Sequence, residues 1–484
     1  MKFRKLQNPN NYIGSLLIHS SGFLAGDFIS KSLYILFLPL ITILLDPGDF
    51  GILSIYLTLL NIISILFRLG IGGSINRIYY DHRDRYKIFL GTNIIFLVSF
   101  SAVISVIVQF LFRENISVFF KIPKDLISFA LLNAVLLLVF TIYTAHLQAT
   151  RQSKKYSRID IFYKATSVVL SVFLMYYLTK EKYMAKVYAD LAILILSIGI
   201  ILRYFASYPI FRISKQEWLY AMRFGLPLLP HALSALILHM FDRVIINQIV
   251  GESETGLYSL AYQIGVVLQF VIFGMNRSWI TFFYEKVAEK NLDIIKNTFR
   301  SYQKIIVSIA VCMILFAGDA VLLLVNDRYH ESIGIIIPII MGYLFLFYNT
   351  IYGNYLFYMK KTMMISINSV IATIVNIASN YYFISKYGYM AAAYTTLASF
   401  LLLFLLNYVT VRIKFRGAVL PLKNTFPGII IVGLTVLVLM FIGRINQYYL
   451  QLIIKVLIML AVLSAFFLPA LRSAFRSRRR ASDN

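Results

Sequence analysis

Within the run HALSALILHMFDRVIINQIV, residues 231–250, an acid and a base stand side by side among mostly apolar side chains: Asp242 and Arg243. His239 and Asn247 lie four residues to either side of Arg243. In a helix these three share one face and form a stripe of donors around a cation, which is the chemistry of anion recognition. The plain rival is a structural ion pair between Asp242 and Arg243. Other charges sit in similarly apolar surroundings. Asp27 and Lys31 form an i, i+4 pair, Lys164 stands less than two turns beyond Arg158, and Asp190 and Asp319 are acids inside long apolar runs. Asp27, Asp242, Asp190 and Asp319 are therefore the candidates for carrying a coupling proton or sodium ion, although acids satisfied by neighbouring Tyr or Asn fit the same pattern. Asn376 and Asn380, Gln148 and Gln263 are polar enough to meet sugar hydroxyls or to tie helices together.

The elements that must position these residues follow from composition. The chain is 60% hydrophobic and 14% charged, with a mean hydropathy of +0.77, far from the usage of a soluble domain. About 20 mainly apolar residues cross a bilayer as a helix, and backbone polarity forbids lipid-exposed loops. Fourteen such runs are found, near 14–45, 50–70, 88–112, 126–149, 159–179, 184–206, 218–250, 256–281, 302–325, 332–358, 362–384, 389–410, 425–443 and 449–470. The predicted class is an all-α polytopic membrane protein with 14 transmembrane helices. The seventh run is longer than one crossing needs, and Pro227 and Pro230 are expected to break it. The start, MKFRKLQNPNNY, is followed by a long apolar run without an obvious small-residue cleavage site, and reads as an uncleaved first helix.

The net charge of +25 is explained by topology rather than by nucleic acid. With the N-terminus inside, 30 of the 46 Lys and Arg fall on cytoplasmic segments and 8 on outer ones, the asymmetry expected of a membrane protein with both termini cytoplasmic. The tail FRSRRR is at most a contact for anionic lipid. Eight basic residues remain at membrane depth. Of these, Arg68, Arg223, Arg277, Lys186 and Lys455 are expected to snorkel to an interface; Lys31, Lys164 and Arg243 are harder to explain that way. Arg243 is about 12 Å below Gly251 at the outer end of its helix, at 1.5 Å per residue. A charge at depth costs at least about 2.5 kcal/mol unless it faces a cavity or a partner. No Gly-Lys dipeptide occurs, so there is no phosphate-binding P-loop. Short outer segments argue against an enzyme, and neither a cofactor nor a metal is expected.

The chain also repeats itself. LLDPGDFGILS (44–54) aligns with IVGESETGLYS (249–259), matching Gly51 to Gly256 and Ser54 to Ser259; KEKYMAKVYA (180–189) aligns with KYGYMAAAYT (386–395) at nearly the same offset. Six spans separate the copies, so the halves are parallel repeats. The expected architecture is two parallel six-helix lobes, 1–212 and 213–416, around a central cavity, with two C-terminal helices and a basic tail in 417–484.

FLPLITILLDPGDFGILSIY, RLGIGGSINRIYY, FGLPLLP followed by FDRVIINQIVGESETGLYSLAYQI, and SKYGYMAAAYTTLASF resemble the polysaccharide transporter branch of the multidrug/oligosaccharidyl-lipid/polysaccharide exporter superfamily, the O-antigen and repeat-unit flippases. The helix count also resembles the lipid II flippase, and the first twelve helices the multidrug and toxin extrusion antiporters. The resemblance implies transport of undecaprenyl-diphosphate-linked oligosaccharide from the inner to the outer leaflet of the bacterial plasma membrane, with polysaccharide polymerase machinery as a possible partner. It makes Lys31, Arg243, His239, Asn247 and Lys164 the expected contacts for the anionic head group. A cation-coupled multidrug antiporter and a membrane-embedded polysaccharide polymerase or ligase are the alternatives; the mixed signs of the deep charges and the parallel duplication favour the flippase.

Overall fold

A computed structural model describes residues 33, 35–205, 213–415, 417 and 419–482. Among the described residues every regular element is helical: α1 (Leu38–Leu44), α2 (Pro47–Arg68), α3 (Ile71–Asp81), α4 (Tyr86–Ile107), α5 (Arg113–Phe120), α6 (Lys124–Ala149), α7 (Ser153–Tyr177), α8 (Met184–Phe205), α9 (Lys215–Gly225), α10 (Leu229–Ile249), α11 (Glu252–Ala288), α12 (Leu292–Leu324), α13 (Ile333–Tyr358), α14 (Thr362–Tyr387), α15 (Ala391–Lys414), α16 (Phe426–Ile442) and α17 (Tyr448–Ser482). Thirteen stretches are long and apolar enough to cross a membrane, and they coincide one for one with the second to fourteenth spans expected from sequence. The first expected span lies mostly outside the described residues. This is a multi-pass membrane protein, and its chain is helical because a helix satisfies its own backbone groups in lipid.

Local sequence sets the breaks. Asp46 caps α2 by accepting from the Asp49 amide at 2.8 Å, with Pro47 at the first helical position, where its missing N–H is not needed. The seventh expected span divides into α9 and α10 around a 3-10 turn at Leu226–Leu228, where Pro227 and Pro230 interrupt the helical ladder. A π turn at Val108–Phe112 separates α4 from α5.

Two compact units make up the chain: Met1–Ser259 with Ser369–Ala392, and Leu260–Asn368 with Ala393–Asn484. In the first, α6 packs on α2 and α8, α7 on α8, and α10 on α2. Its core includes Phe89, Leu138, Tyr143, Leu147 and Phe205. In the second, α12 is the hub, packing against α13, α16 and α17.

The repeated motif makes a contact with itself inside the first unit. A methyl group on Gly51 would lie 2.0 Å from the Glu252 carbonyl oxygen, and one on Gly256 1.9 Å from the Pro47 carbonyl oxygen. These two contacts are images of each other, since Pro47 and Glu252, like Gly51 and Gly256, are one repeat offset apart. One turn further on, the Ser54 and Ser259 hydroxyls, separated by 205 residues, hydrogen-bond at 2.7 Å. The backbones cross at a distance only glycine permits, as in other small-residue helix crossings.

Candidate functional site

Asp242 and Arg243 are placed by α10, which carries them into the interior of the first unit, 0% and 5% exposed. Asp242 is met by two neutral donors from other helices: the Tyr258 hydroxyl at 2.7 Å on one carboxylate oxygen and the Asn380 amide at 2.7 Å on the other. Asn380 also donates to Asn376 at 3.2 Å, and both asparagines are fully buried. Hydrogen bonds to a charged group contribute about 1.5–3 kcal/mol each, so this pair offsets much of the cost of burying the carboxylate. Arg243 turns back along its own helix, its Nη1 donating to the His239 carbonyl at 3.1 Å. His239 itself is partly exposed.

Asn247, the third member of the stripe, has its amide engaged: Nδ2 donates to the Phe120 carbonyl at 2.9 Å and to the Lys121 carbonyl at 3.3 Å. Lys121 adopts a left-handed backbone (φ 49°) that ends α5, and the neighbouring Gln248 donates to the Phe119 carbonyl at 2.7 Å. The C-terminal end of α10 is thus laced to that turn, which commits the Asn247 amide to holding the helix.

The remaining candidates divide by their partners. Lys164 forms an ion pair with Asp160 one helical turn earlier, at 2.8 Å, the acid being buried. Asp190 accepts from Lys186 at 2.5 Å and from the Ser167 hydroxyl, binding α8 to α7. In the second unit Asp319 of α12 accepts from Lys455 of α17 at 2.6 Å. Asp27 and Lys31 lie outside the described residues. The expectation that Lys186 and Lys455 snorkel is corrected here, because each is mostly buried and spends its ammonium on an acid within the protein. The i, i+4 spacing of Asp160 to Lys164 and of Lys186 to Asp190 was the available signal. The Asp319–Lys455 partnership had none, since its members are 136 residues apart.

A cavity of about 360 Å³ in the first unit was also not anticipated; it is lined by Arg68, Gly70, Gly72, Thr141, Leu228 and Ala232, among others. The two motifs RLGIGG and FGLP build it by touching: a methyl on Gly70 (φ 72°) would lie 2.3 Å from the Gly225 carbonyl oxygen. Gly70 supplies both a left-handed turn and the room for that approach. Arg68 lines the cavity, its Nε donating to the Ser64 carbonyl at 2.9 Å, rather than simply ending a span at an interface. A half-buried guanidinium over an apolar wall is suited to an anion attached to a greasy chain.

This architecture is that of a multi-pass, all-helical membrane protein. The fold aligns with the lipid II flippase MurJ in an inward closed conformation (TM-score 0.68, 15% identity, 93% of this chain and 99% of that one). It aligns also with an inward-facing multidrug resistance MATE family transporter of the MOP superfamily (TM-score 0.61, 14% identity, 79% of this chain and 94% of that one). By their descriptions these neighbours are a flippase and a transporter. Residues 21–283 match the model of the polysaccharide biosynthesis protein family, and the chain belongs to that family. A relative in Haemophilus influenzae, the Lsg locus protein 1, is 24% identical over 269 residues, 53% of this chain and 66% of that protein.

Proposed function

We propose that this protein is a flippase that moves undecaprenyl-diphosphate-linked oligosaccharide repeat units, of the O-antigen type, from the cytoplasmic to the outer leaflet of a bacterial inner membrane. Both termini lie in the cytoplasm. The observation that carries the reading is Arg243, a guanidinium at membrane depth in a chain of the polysaccharide biosynthesis family. In this reading Arg243, His239 and Lys31 receive the diphosphate, Lys164 lies on the path, and Asn247 positions α10. The polyprenyl chain stays in lipid, and sugar hydroxyls meet Gln148 and Gln263.

Transport proceeds by alternating access, with lobes 1–212 and 213–416 rocking about a central cavity and helices of 417–484 appended. The Gly51–Gly256 and Ser54–Ser259 crossing closes one side and must part when that side opens. The inside-negative potential favours outward movement of an anion by about 2.3 kcal/mol per charge per 100 mV, so the protein chiefly lowers the barrier. Return of the empty carrier is coupled to H⁺ or Na⁺. Asp27, Asp242, Asp190 and Asp319 are the candidates for that step; Asp190 and Asp319 would have to release Lys186 and Lys455 to take it, and Asp242 the Tyr258 and Asn380 donors. Polysaccharide polymerase machinery takes the product on the outer face.

The MATE likeness favours one rival, a cation-coupled drug antiporter. The test is the leaflet distribution of lipid-linked oligosaccharide in host membranes with the wild-type chain, without it, and with Arg243→Ala. Head groups held on the cytoplasmic side in the last two cases support the flippase. Normal delivery with altered drug tolerance would replace it with the antiporter, and normal delivery with altered polymer length with an enzyme of polymer assembly.

A further inference from the structure

The second unit has its own cavity, of about 380 Å³, between the start of α16 and one face of α12, with Phe466 of α17 at its side. Arg300, Lys304 and Lys423 lie on its rim, and no acidic side chain is among its lining residues. All three cations belong to segments that the charge asymmetry assigns to one membrane face. Lys304 is parked against Phe466, its Nζ 3.3 Å from the carbonyl oxygen and 5.9 Å from the ring centroid, a weak placement for an ammonium.

The cavity meets the N-terminus of α16, whose dipole favours an anion. An independent feature points the same way. Asn424, 9% exposed, lines the cavity just before α16 begins, and its buried Nδ2 has no protein acceptor. A buried donor left unmade is costly, and an oxyanion in the cavity would satisfy it. The far wall is apolar: Val307 of α12 with Pro427 and Ile431 of α16. Alongside, Phe426, Ile430 and Leu434 are 49%, 57% and 55% exposed, as expected of a helix face in contact with hydrocarbon. Gly428 sets the width, because a methyl there would lie 2.3 Å from the Tyr348 hydroxyl and 2.9 Å from Val307.

We infer that this cavity is a binding site for an anionic glycerophospholipid of the surrounding bilayer, its phosphate held by Arg300, Lys304, Lys423 and the Asn424 amide and one acyl chain laid along Val307 and Ile431. The site belongs to the second unit, whereas Arg243 belongs to the first, and it stands whether or not the flippase reading does. Its lipid would clamp α16 against α12 at the membrane surface.

The test uses the purified full-length protein in detergent, titrated with phosphatidylglycerol and, separately, phosphatidylcholine, with bound lipid counted by native mass spectrometry. Each basic side chain near a lipid phosphate contributes about fivefold to binding. Arg300→Gln/Lys304→Gln/Lys423→Gln should therefore lose on the order of 100-fold in phosphatidylglycerol affinity, with phosphatidylcholine binding unchanged. Asn424→Leu should lose several-fold while keeping all three charges. The control Lys360→Gln/Lys361→Gln removes two exposed cations elsewhere and should bind as wild type. Phosphatidylglycerol binding that is unaltered in the triple variant, or lost equally in the control, overturns the site. Complete displacement of the lipid by millimolar inorganic phosphate would overturn the choice of a lipid as occupant.

Discussion

Replacing Lys455 with Met should destabilise the protein by on the order of 3–5 kcal/mol, the usual consequence of leaving a buried charge without its partner. The pair it breaks is short, 2.6 Å, and its side chains are 9% and 11% exposed for Lys455 and Asp319. At that separation the Coulomb attraction is on the order of 6 kcal/mol for an effective dielectric constant of 20. Burial of the two ions costs several kcal/mol each, so the intact pair is near break-even while either truncation alone is expensive. Lys455→Met/Asp319→Leu should accordingly recover to within about 1–2 kcal/mol of wild type. The assay is a double-mutant cycle read by reversible unfolding in mixed micelles, with transport measured in parallel. Singles that each cost under about 1 kcal/mol and add in the double would refute the reasoning. A double variant that is stable yet cannot transport would return Asp319 to the role of coupling acid.

Tyr258→Phe removes a hydroxyl donor from the buried Asp242 carboxylate and should cost about 1–3 kcal/mol, measured by the same unfolding assay; no change would mean that another donor takes its place. At the helix crossing, Ser54→Cys/Ser259→Cys in a Cys312→Ser background should oxidise to a disulfide, since the native hydroxyls are 2.7 Å apart. Transport should stop on oxidation and return on reduction, and continued transport through the cross-linked form would show that the crossing never parts. Gly256→Leu places a branched side chain where even a methyl would meet the Pro47 carbonyl oxygen at 1.9 Å. Overpacking of this kind costs about 1–3 kcal/mol or more, so a lowered unfolding midpoint is expected, and an unchanged one would contradict the crossing geometry.

The spans were legible because lipid leaves a 20-residue apolar run one solution, and the repeat was legible because Gly51, Ser54, Gly256 and Ser259 are fixed by a contact that tolerates nothing larger. Charges were legible one at a time: hydropathy marks Asp242, Arg243, Asp190 and Asp319 as out of place without saying what answers them. Where the answer sits one turn away, as for Lys186 with Asp190 or Asp160 with Lys164, spacing carries it. Where it comes across helices, as Lys455 does for Asp319 or Tyr258 and Asn380 do for Asp242, only the packed structure supplies it. The stripe on α10 shows the same limit. Helical spacing aligns His239, Arg243 and Asn247, but it cannot show that Asn247 is already committed to the Phe120 and Lys121 carbonyls. Arg68 reads from sequence as the end of a span, and its place on a cavity wall depends on two motifs meeting at Gly70 and Gly225.

If this chain moves a lipid-linked diphosphate sugar, Arg243 is the residue that receives it. Purified protein in liposomes, loaded in one leaflet with a fluorescent undecaprenyl-diphosphate oligosaccharide, tests it most directly through the rate at which the label becomes accessible from the other side. Exchange should be rapid with the wild type, strongly reduced with Arg243→Ala, and partly recovered with Arg243→Lys, which keeps the charge without the guanidinium fork. Label that crosses no faster than in protein-free liposomes, or equally fast in all three proteins, would contradict it.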